Sequence, residues 1–199
     1  MIINPATISS SEGYKILIGS IVPRPIAFVS TTSPEGVHNL APFSFFNGVC
    51  SEPLVVAFSP GIRNPPKDTY RNIQATGEFV INIVNEAIAQ QMNLCAGEYP
   101  YGVDEFQVSQ LTAAPCKIVK APRVLESPVS MECKLMRIIE VSPKPGGAHL
   151  ILGEVVQFHI DDAIIDARHR IDPGKLNAIG RLGGPTYCTT RDRFNMIRP

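Results

Sequence analysis

The sequence has no pair of cysteines at CxxC spacing and no run of basic residues. Its five cysteines, an odd number, are scattered along 199 residues. This arrangement argues against a disulfide framework, a zinc ribbon and a thioredoxin-like dithiol, and it indicates free thiols in a reducing compartment. The formal net charge is zero, with 18 basic and 18 acidic residues, so the composition shows no nucleic-acid footprint.

Long apolar runs are also missing. No stretch approaches the ~20 consecutive apolar residues of a membrane helix. The N-terminus lacks the basic region, the apolar run and the small-residue cleavage site of a signal peptide. We therefore expect a cytoplasmic protein without a membrane partner.

The common nucleotide-binding and hydrolase motifs are absent as well. The chain contains no GxGxxG, no P-loop, no HExxH and no GxSxG. Its four histidines are not at metal-ligand spacing, and we expect no metal site. A zinc hydrolase, an NTPase and a Rossmann dehydrogenase thus lack sequence support.

What the sequence does contain is many short apolar runs separated by turn residues, including 18 prolines and 15 glycines. This pattern is typical of a β-rich fold. We predict strands over 25–32, 37–44, 54–59, 79–84, 131–143 and 149–160, the first two forming a hairpin. Helical signals are confined to about 64–75, 86–95 and 104–111. Because strands do not alternate with helices, the pattern favours a barrel, in a single domain over residues 1–199.

A candidate anion site lies where the 54–59 strand meets the first of these helices. Ser59 ends the strand, and Arg63, Lys67 and Thr69 follow at the predicted helix start. Hydroxyl groups, cations and free N–H groups at a helix N-terminus are the groups that bind phosphate. Asp68 fits better as a helix cap than as a phosphate contact. A capped helix with solvated charges has the same composition, so the residues alone leave both interpretations open.

Aromatic residues surround a hydroxyl in the segment PFSFFNG (42–48). Phe43, Phe45 and Phe46 flank Ser44, and Asn47 follows. Aromatic rings beside hydroxyl and amide donors can enclose a flat heteroaromatic ligand. Ordinary core phenylalanines at the end of a strand would give the same pattern.

Five blocks in order resemble the flavin-reductase-like, FMN-binding split-barrel family. They are PRPIAFVSTTSPEGVHNLAPFSFFNGVCSEPLVVAFS (23–59), NPPKDTYRNIQATGEFVINIV (64–84), YGVDEF (101–106), GAHLILGEVV (147–156) and IGRLGGPTY (179–187). The resemblance covers nearly the whole chain. It implies a mainly β, Greek-key split β-barrel with a few peripheral helices, usually a homodimer, with FMN at or near the dimer interface.

The resemblance also implies cofactor-binding residues. The flavin would be lined by Val29, Ser30, Thr31, Thr32, Ser44, Phe45, Phe46 and Asn47, and the ribityl phosphate would lie near Ser59, Arg63, Lys67 and Thr69. His149 is a candidate catalytic residue near the substrate, although Ala148 stands where the familiar motif has an acidic residue. Arg24, Arg181 and Tyr187 could reach either the ligand or a partner subunit.

The function that the resemblance implies is flavin reduction by NADH or NADPH, with hydride transfer to flavin N5. No acid or base is obligatory for that step, because the cofactors carry the chemistry. A monooxygenase or another redox protein would be the partner. One alternative is a flavoredoxin-like electron carrier that retains FMN and exchanges electrons with proteins. Another is a flavin-binding module without turnover.

Overall fold

The computed structural model describes residues 1–198, so residue 199 of the predicted domain lies outside the described part of the chain. The strands are β1 Ala27–Thr32, β2 His38–Phe43, β3 Phe46–Ser51, β4 Leu54–Phe58, β5 Glu78–Ile83, β6 Ala113–Ala114, β7 Arg123–Val124, β8 Val129–Glu140, β9 His149–Ile160, β10 Ile179–Arg181 and β11 Tyr187–Thr189. The α-helices are α1 Ser10–Ser20, α2 Asp68–Thr76, α3 Ala89–Leu94, α4 Glu105–Ser109 and α5 Pro173–Leu176, and 3-10 turns lie at Pro5–Thr7, Glu86–Ile88 and Asp162–Ile164. The prediction of a mainly β fold is confirmed.

Seven strands form one antiparallel sheet in the order β2-β1-β5-β8-β9-β4-β3. The pairs β6-β7 and β10-β11 are separate two-stranded ladders. The hairpin predicted from residues 25–44 is the β1-β2 pair, with Ala27 opposite Phe43 and Thr32 opposite His38. The sheet therefore has two edge strands, β2 and β3, which follow one another in sequence.

Aromatic contacts show that this sheet curls onto itself. Phe43 of β2 and Phe58 of β4 come from strands near opposite ends of the sheet, yet their ring centroids are 5.1 Å apart. Phe58 also meets Phe79 of β5, at 5.6 Å. Such contacts require a closed interior, while the order of strands leaves β2 and β3 unpaired with each other. The result is a barrel that is open along the seam where Ser44 and Phe45 join the two edges.

Strand β1 lies between β2 and β5, and its residues from Ala27 to Thr31 are buried on both faces. Phe28 packs outward against Leu40 and Met92, whereas Val29 packs into the barrel interior. This alternation follows from the two-residue period of a strand. Burial on both faces explains why residues 26–29 of the 25–32 run are all apolar.

The sequence prediction missed the helices α1 and α5, the edge strand β3 and the short ladders β6-β7 and β10-β11. Helix α1 begins at a capping box, in which the Glu12 backbone N–H donates to Ser9 Oγ (3.2 Å) and the Ser9 N–H donates to the Glu12 carboxylate (2.8 Å). Only Ile18 of this helix is buried, so its apolar pattern is weak. Strand β3 is an exposed edge with no apolar alternation.

The helix predicted over 64–75 begins later than expected, at Asp68, because two prolines precede it. Its predicted end is confirmed: Gly77 caps α2 in the left-handed conformation, with φ 72°. Among the described residues, no helix combines the length and apolar character needed to cross a membrane.

Gly153 in β9 tests the packing of the barrel interior. A Cβ at this position would lie 2.3 Å from Cζ of Phe79, which is fully buried. We expect Gly153→Ala to lower the free energy of unfolding by about 1–3 kcal/mol, because overpacking a tight core forces side chains off their rotamers. Urea denaturation measures this. Gly48→Ala on the exposed edge strand is the control, since a Cβ there meets nothing within 4 Å.

Candidate functional site

A basic cavity lies beside the open seam, between β2 and the N-terminus of α2. Its volume is about 140 Å³. Two cations project into it, Arg63 from the loop after β4 and Lys67 immediately before α2. Its remaining walls come from β2, from the start of α2, from the loop after α3 and from α4: Asn39, Ala41, Pro42, Phe43, Asp68, Thr69, Cys95, Ala96, Gly97, Glu98, Tyr99 and Glu105.

Two of the carboxylates that line the basic cavity, Asp68 and Glu98, act on the charge of Lys67. Arg63 Nη1 is 3.8 Å from Glu98 Oε1, but the Glu98 side chain is 92% exposed, so this pair is weak. The buried Nε of Arg63 has no hydrogen-bond partner among the described residues. Burial, and then the charge of Arg63, lower the pKa of Lys67 below its ordinary value. An anion in the cavity would accept a hydrogen bond from Arg63 Nε and would raise the pKa of Lys67.

The start of α2 faces the same cavity. Lys67 occupies the N-cap position, and its side chain makes no capping hydrogen bond. The first N–H groups of an α-helix have no partner within the helix. They therefore add a favourable field for an anion to the charges of Arg63 and Lys67.

A buried polar network forms the floor of the basic cavity. Thr69 Oγ1 donates to Asn39 Oδ1 (2.9 Å), and Asn39 Nδ2 donates to both carboxylate oxygens of Glu105 (2.9 Å each). The Leu40 N–H also donates to Glu105 (3.0 Å). Burial raises the pKa of Glu105, and these hydrogen bonds oppose that rise. The network holds the first turn of α2 against β2.

The predicted site residues of β1 lie behind this floor. Thr31 donates to Asn39 Oδ1 (3.3 Å) and accepts from Asn72 Nδ2 (3.0 Å). Val29 is in the barrel core, Ser30 donates to the Pro122 carbonyl, and Thr32 pairs with His38. None of the four side chains lines the basic cavity. Strand β1 is flanked by β2 and β5 in the sheet, and flavin contact by these four residues stays a prediction.

The other predicted residues divide into three groups. Arg63, Lys67 and Thr69 meet at the basic cavity, although the Thr69 hydroxyl donates inward to Asn39. The segment from Ser44 to Asn47 crosses the open seam, with Phe45 and Asn47 exposed and Phe46 packed on the barrel interior. Ser59 is anchored there, since its N–H donates to the Phe45 carbonyl (2.9 Å).

His149 is placed at the start of β9. Its ring stacks on Tyr70 with centroids 4.1 Å apart, and its Nε2 is 4.0 Å from the Glu140 carboxylate. Its backbone N–H donates to the Pro60 carbonyl (3.1 Å), which brings it near Ser59. His149 does not line the basic cavity. Its catalytic role stays a prediction.

A second cavity adjoins the first, and we call it the Arg24 cavity. It has a volume of about 390 Å³ and contains Arg24, Arg181 and Tyr187, the residues whose roles the sequence left open. Pro42 and Ala96 line both cavities, so the two are neighbours along the same surface.

A third polar cluster lies on the far side of the barrel. The fully buried Glu132 accepts hydrogen bonds from the backbone N–H groups of Lys117 (2.8 Å), Ile118 (2.7 Å) and Val119 (2.9 Å). His159 Nε2 lies 2.6 Å from the same carboxylate. Burial alone would raise the pKa of Glu132, but these contacts outweigh burial and hold the pKa at about 2.

Cys116 adjoins this cluster. One ligand atom each of Cys116, Glu132 and His159 lie within 4.8 Å of one another, a grouping that the spacing of histidines could not reveal. Burial, and then the charge of Glu132, raise the pKa of the Cys116 thiol to about 12. Both carboxylate oxygens of Glu132 already accept hydrogen bonds, so the cluster holds the 117–119 segment against β8. We call this arrangement the Glu132 clamp.

Comparison with known proteins identifies the family. Residues 18–174 match the model of the flavin reductase like domain. The chain belongs to the flavin-reductase-like family. The similar solved structures include nitrilotriacetate monooxygenase component B from Bacillus cereus, with a TM-score of 0.94 and 34% identity over 98% of each chain. Pseudomonas fluorescens 2-nitrobenzoate 2-nitroreductase NbaA has a TM-score of 0.92 and 32% identity, covering 100% of this chain and 96% of its own.

A further solved structure confirms the predicted split-barrel fold. A split-barrel protein from Shewanella frigidimarina, 22% identical, superposes with a TM-score of 0.87 over 100% of both chains. The chain therefore has the split-barrel fold.

Glu105 has a clear structural role that the sequence does not indicate. Glu105 belongs to the block 101–106, where a carboxylate at the start of a short helix indicates only a first-turn charge. Its partner Asn39 is 66 positions away in sequence. No local signal could connect them.

Proposed function

We propose that this flavin-reductase-like protein binds FMN and catalyses its reduction by NADH or NADPH. The observation that carries the proposal is the convergence of Arg63, Lys67 and the uncapped start of α2 on one cavity. Two cations and free helix N–H groups fit a phosphate dianion. The partnerless Nε of Arg63 is a donor that such a group would satisfy.

The flavin ring has a complementary place next to the phosphate. The cavity wall runs along β2 through Ala41, Pro42 and Phe43 toward the open seam. There the partly exposed Phe45 and the exposed Asn47 offer an apolar surface and an amide for the edge of a flat heteroaromatic ring. In this proposal the side chains of Phe45 and Asn47 contact the flavin ring.

In this proposal the side chains of the protein bind FMN and orient it. Arg63 and Lys67 hold the phosphate end, and the network of Asn39, Thr69 and Glu105 fixes the helix that carries the N–H donors. Bound FMN supplies the capacity to accept a hydride at N5. No residue has to transfer a proton for that step, which agrees with the absence of a free acid or base among the side chains at the described part of the seam.

The predicted homodimer remains part of the proposal. Val49, Leu54 and Met136, from strands β3, β4 and β8, are each about half exposed. Exposed apolar side chains on the neighbouring strands β3 and β4, and on β8 of the same sheet, favour an interface between subunits. A monooxygenase or another redox protein as electron acceptor is likewise proposed from the family.

The experiment is the visible absorption spectrum of purified protein with FMN, recorded without oxygen before and after NADH or NADPH is added. We expect a protein-bound flavin spectrum whose absorbance near the flavin maximum bleaches on addition of one of the two nucleotides. Steady-state oxidation of the nucleotide in air measures turnover.

One outcome would contradict the reductase activity, and another would contradict the binding of FMN itself. Bound FMN that neither nucleotide reduces, but that a reduced redox protein does, would favour a flavoredoxin-like electron carrier. A protein that binds no FMN at all would exclude both roles.

A further inference from the structure

The Arg24 cavity holds two positive charges that no acidic residue balances. Its walls come from α1, β2, α3 and the β10-β11 hairpin, and they contain no Asp or Glu among the residues the structure describes: Tyr14, Ile18, Arg24, Ile26, Pro42, Ser44, Met92, Ala96, Arg181, Gly184 and Tyr187. Arg24 is only 4% exposed. A buried charge is costly unless it is hydrogen-bonded and paired with an opposite charge.

Arg24 is held rigidly by neutral acceptors. Its Nη1 donates to the carbonyls of Ile18 (2.6 Å) and Ile21 (2.9 Å), and its Nη2 donates to the Leu182 carbonyl (2.9 Å). Its Nε reaches Ser44 Oγ at 3.4 Å. These bonds use four of the five guanidinium N–H groups. They stabilise the side chain but leave its net charge at the cavity wall.

Arg181 contributes the second charge from a more open position. Its guanidinium donates to the Tyr187 hydroxyl and to the Gly184 carbonyl (2.6 Å), and it lies 4.4 Å from the centroid of the Tyr187 ring. A hydroxyl and a carbonyl carry no charge, so Arg181 keeps its positive charge as well. Its remaining N–H groups form a planar fork, which matches a carboxylate.

Apart from Ser44, the other side chains of the cavity wall are apolar or aromatic. Ile26 and Met92 are buried behind it, and Tyr14 and Pro42 form its sides. A flat ring fits such walls, and a volume of about 390 Å³ suits one ring with its substituents better than a whole dinucleotide. Because Pro42 and Ala96 line both cavities, a ligand here would lie next to the proposed flavin site.

We propose that the Arg24 cavity binds a monocyclic aromatic carboxylate as the second substrate of the flavin. The carboxylate would face Arg181 and the charge of Arg24, and the ring would lie between Tyr14, Pro42 and Met92. The substrate role rests on the proposed flavin function. The binding itself rests only on the charges and walls of the cavity.

The test is calorimetric titration of benzoate into FMN-loaded protein, with benzamide as the matched uncharged ring. We expect benzoate to bind at least tenfold more tightly than benzamide. Equal binding of the two, or no binding of benzoate, would overturn the proposal. Loss of benzoate binding when FMN is loaded would also overturn it, since the flavin ring would then occupy the cavity.

Two variants locate the site. Arg181→Gln should weaken benzoate at least tenfold and leave FMN affinity unchanged, and Arg168→Gln, on an exposed loop, should change neither. Because Arg181 also holds its hairpin, Tyr14→Ala is a second variant; Tyr14 is 55% exposed and should tolerate the change while weakening benzoate several-fold. Unchanged benzoate affinity in both variants would place the ligand elsewhere.

A parallel titration with FMN-free protein separates this proposal from the flavin function. Benzoate binding without any FMN binding would leave the carboxylate site intact and remove its role beside a flavin. FMN binding without benzoate binding would leave the flavin function intact and overturn the carboxylate site. Displacement of benzoate by ADP-ribose at lower concentration than by other benzoates would assign the charges to a nucleotide phosphate, against the proposal.

Discussion

Glu132→Gln is expected to lower the free energy of unfolding by about 3–5 kcal/mol, the range for removing one partner of a buried charged pair. The carboxylate accepts four hydrogen bonds, three of them from consecutive backbone N–H groups of the 117–119 segment. A glutamine amide keeps one acceptor oxygen but turns an NH2 donor toward the groups bound by the other oxygen, and it leaves those N–H groups unsatisfied. Chemical denaturation measures the loss.

The same clamp predicts how stability depends on pH. The pKa of Glu132 is about 2 in the folded protein, below the ordinary value of 4.5. A depressed carboxyl pKa stabilises the fold above pH 4.5, and that contribution is lost as the pH falls toward 2. The unfolding free energy of the wild type should therefore fall more steeply over this window than that of Glu132→Gln.

Glu140→Gln is the matched control for this prediction. Glu140 lies on the same strand, β8, but is exposed, and it has only a distant contact to His149. Its substitution should change the stability by less than about 0.5 kcal/mol, as for most surface changes. If Glu132→Gln were as stable as this control, the carboxylate would not be a clamp.

Lys67→Ala is expected to weaken FMN far more than riboflavin, which lacks the phosphate. Losing one charge-assisted hydrogen bond costs about 1.5–3 kcal/mol, roughly a 10- to 150-fold loss of affinity. Lys67 lies 5.9 Å from the Phe43 ring centroid and shares the basic cavity with Arg63. Fluorescence titration of both flavins into the wild type and the variant measures the difference.

Lys144→Ala controls for the loss of one positive charge, because Lys144 is exposed on the β8-β9 connection and away from both cavities. It should leave both affinities unchanged. The double variant Arg63→Ala, Lys67→Ala should lose FMN further while riboflavin binding persists. An equal loss of FMN and riboflavin in Lys67→Ala would show that Lys67 contacts the ring or supports the fold, and not the phosphate.

The local parts of the molecule were predictable from the sequence. The alternating and continuous apolar runs predict β1, β2, β4, β5, β8 and β9, because strand burial depends on the two-residue period. Arg63, Lys67 and Thr69 lie within seven positions of each other at a helix start, so their meeting in one cavity needed no knowledge of the fold. Helix α1 and strand β3 are mostly exposed, so they have no periodic pattern of apolar residues from which they could be predicted.

Only the tertiary structure decided which distant residues meet. Arg24 reaches the Leu182 carbonyl across 158 positions, and Asn39 meets Glu105 across 66. The order of strands in the sheet brings these segments together, and a local sequence pattern carries no information about that order. It also places β1 between β2 and β5, and none of Val29 to Thr32 lines the wall of the basic cavity. The sequence thus specified the strands and the basic segment, while the closure of the barrel determined which side chains face a ligand.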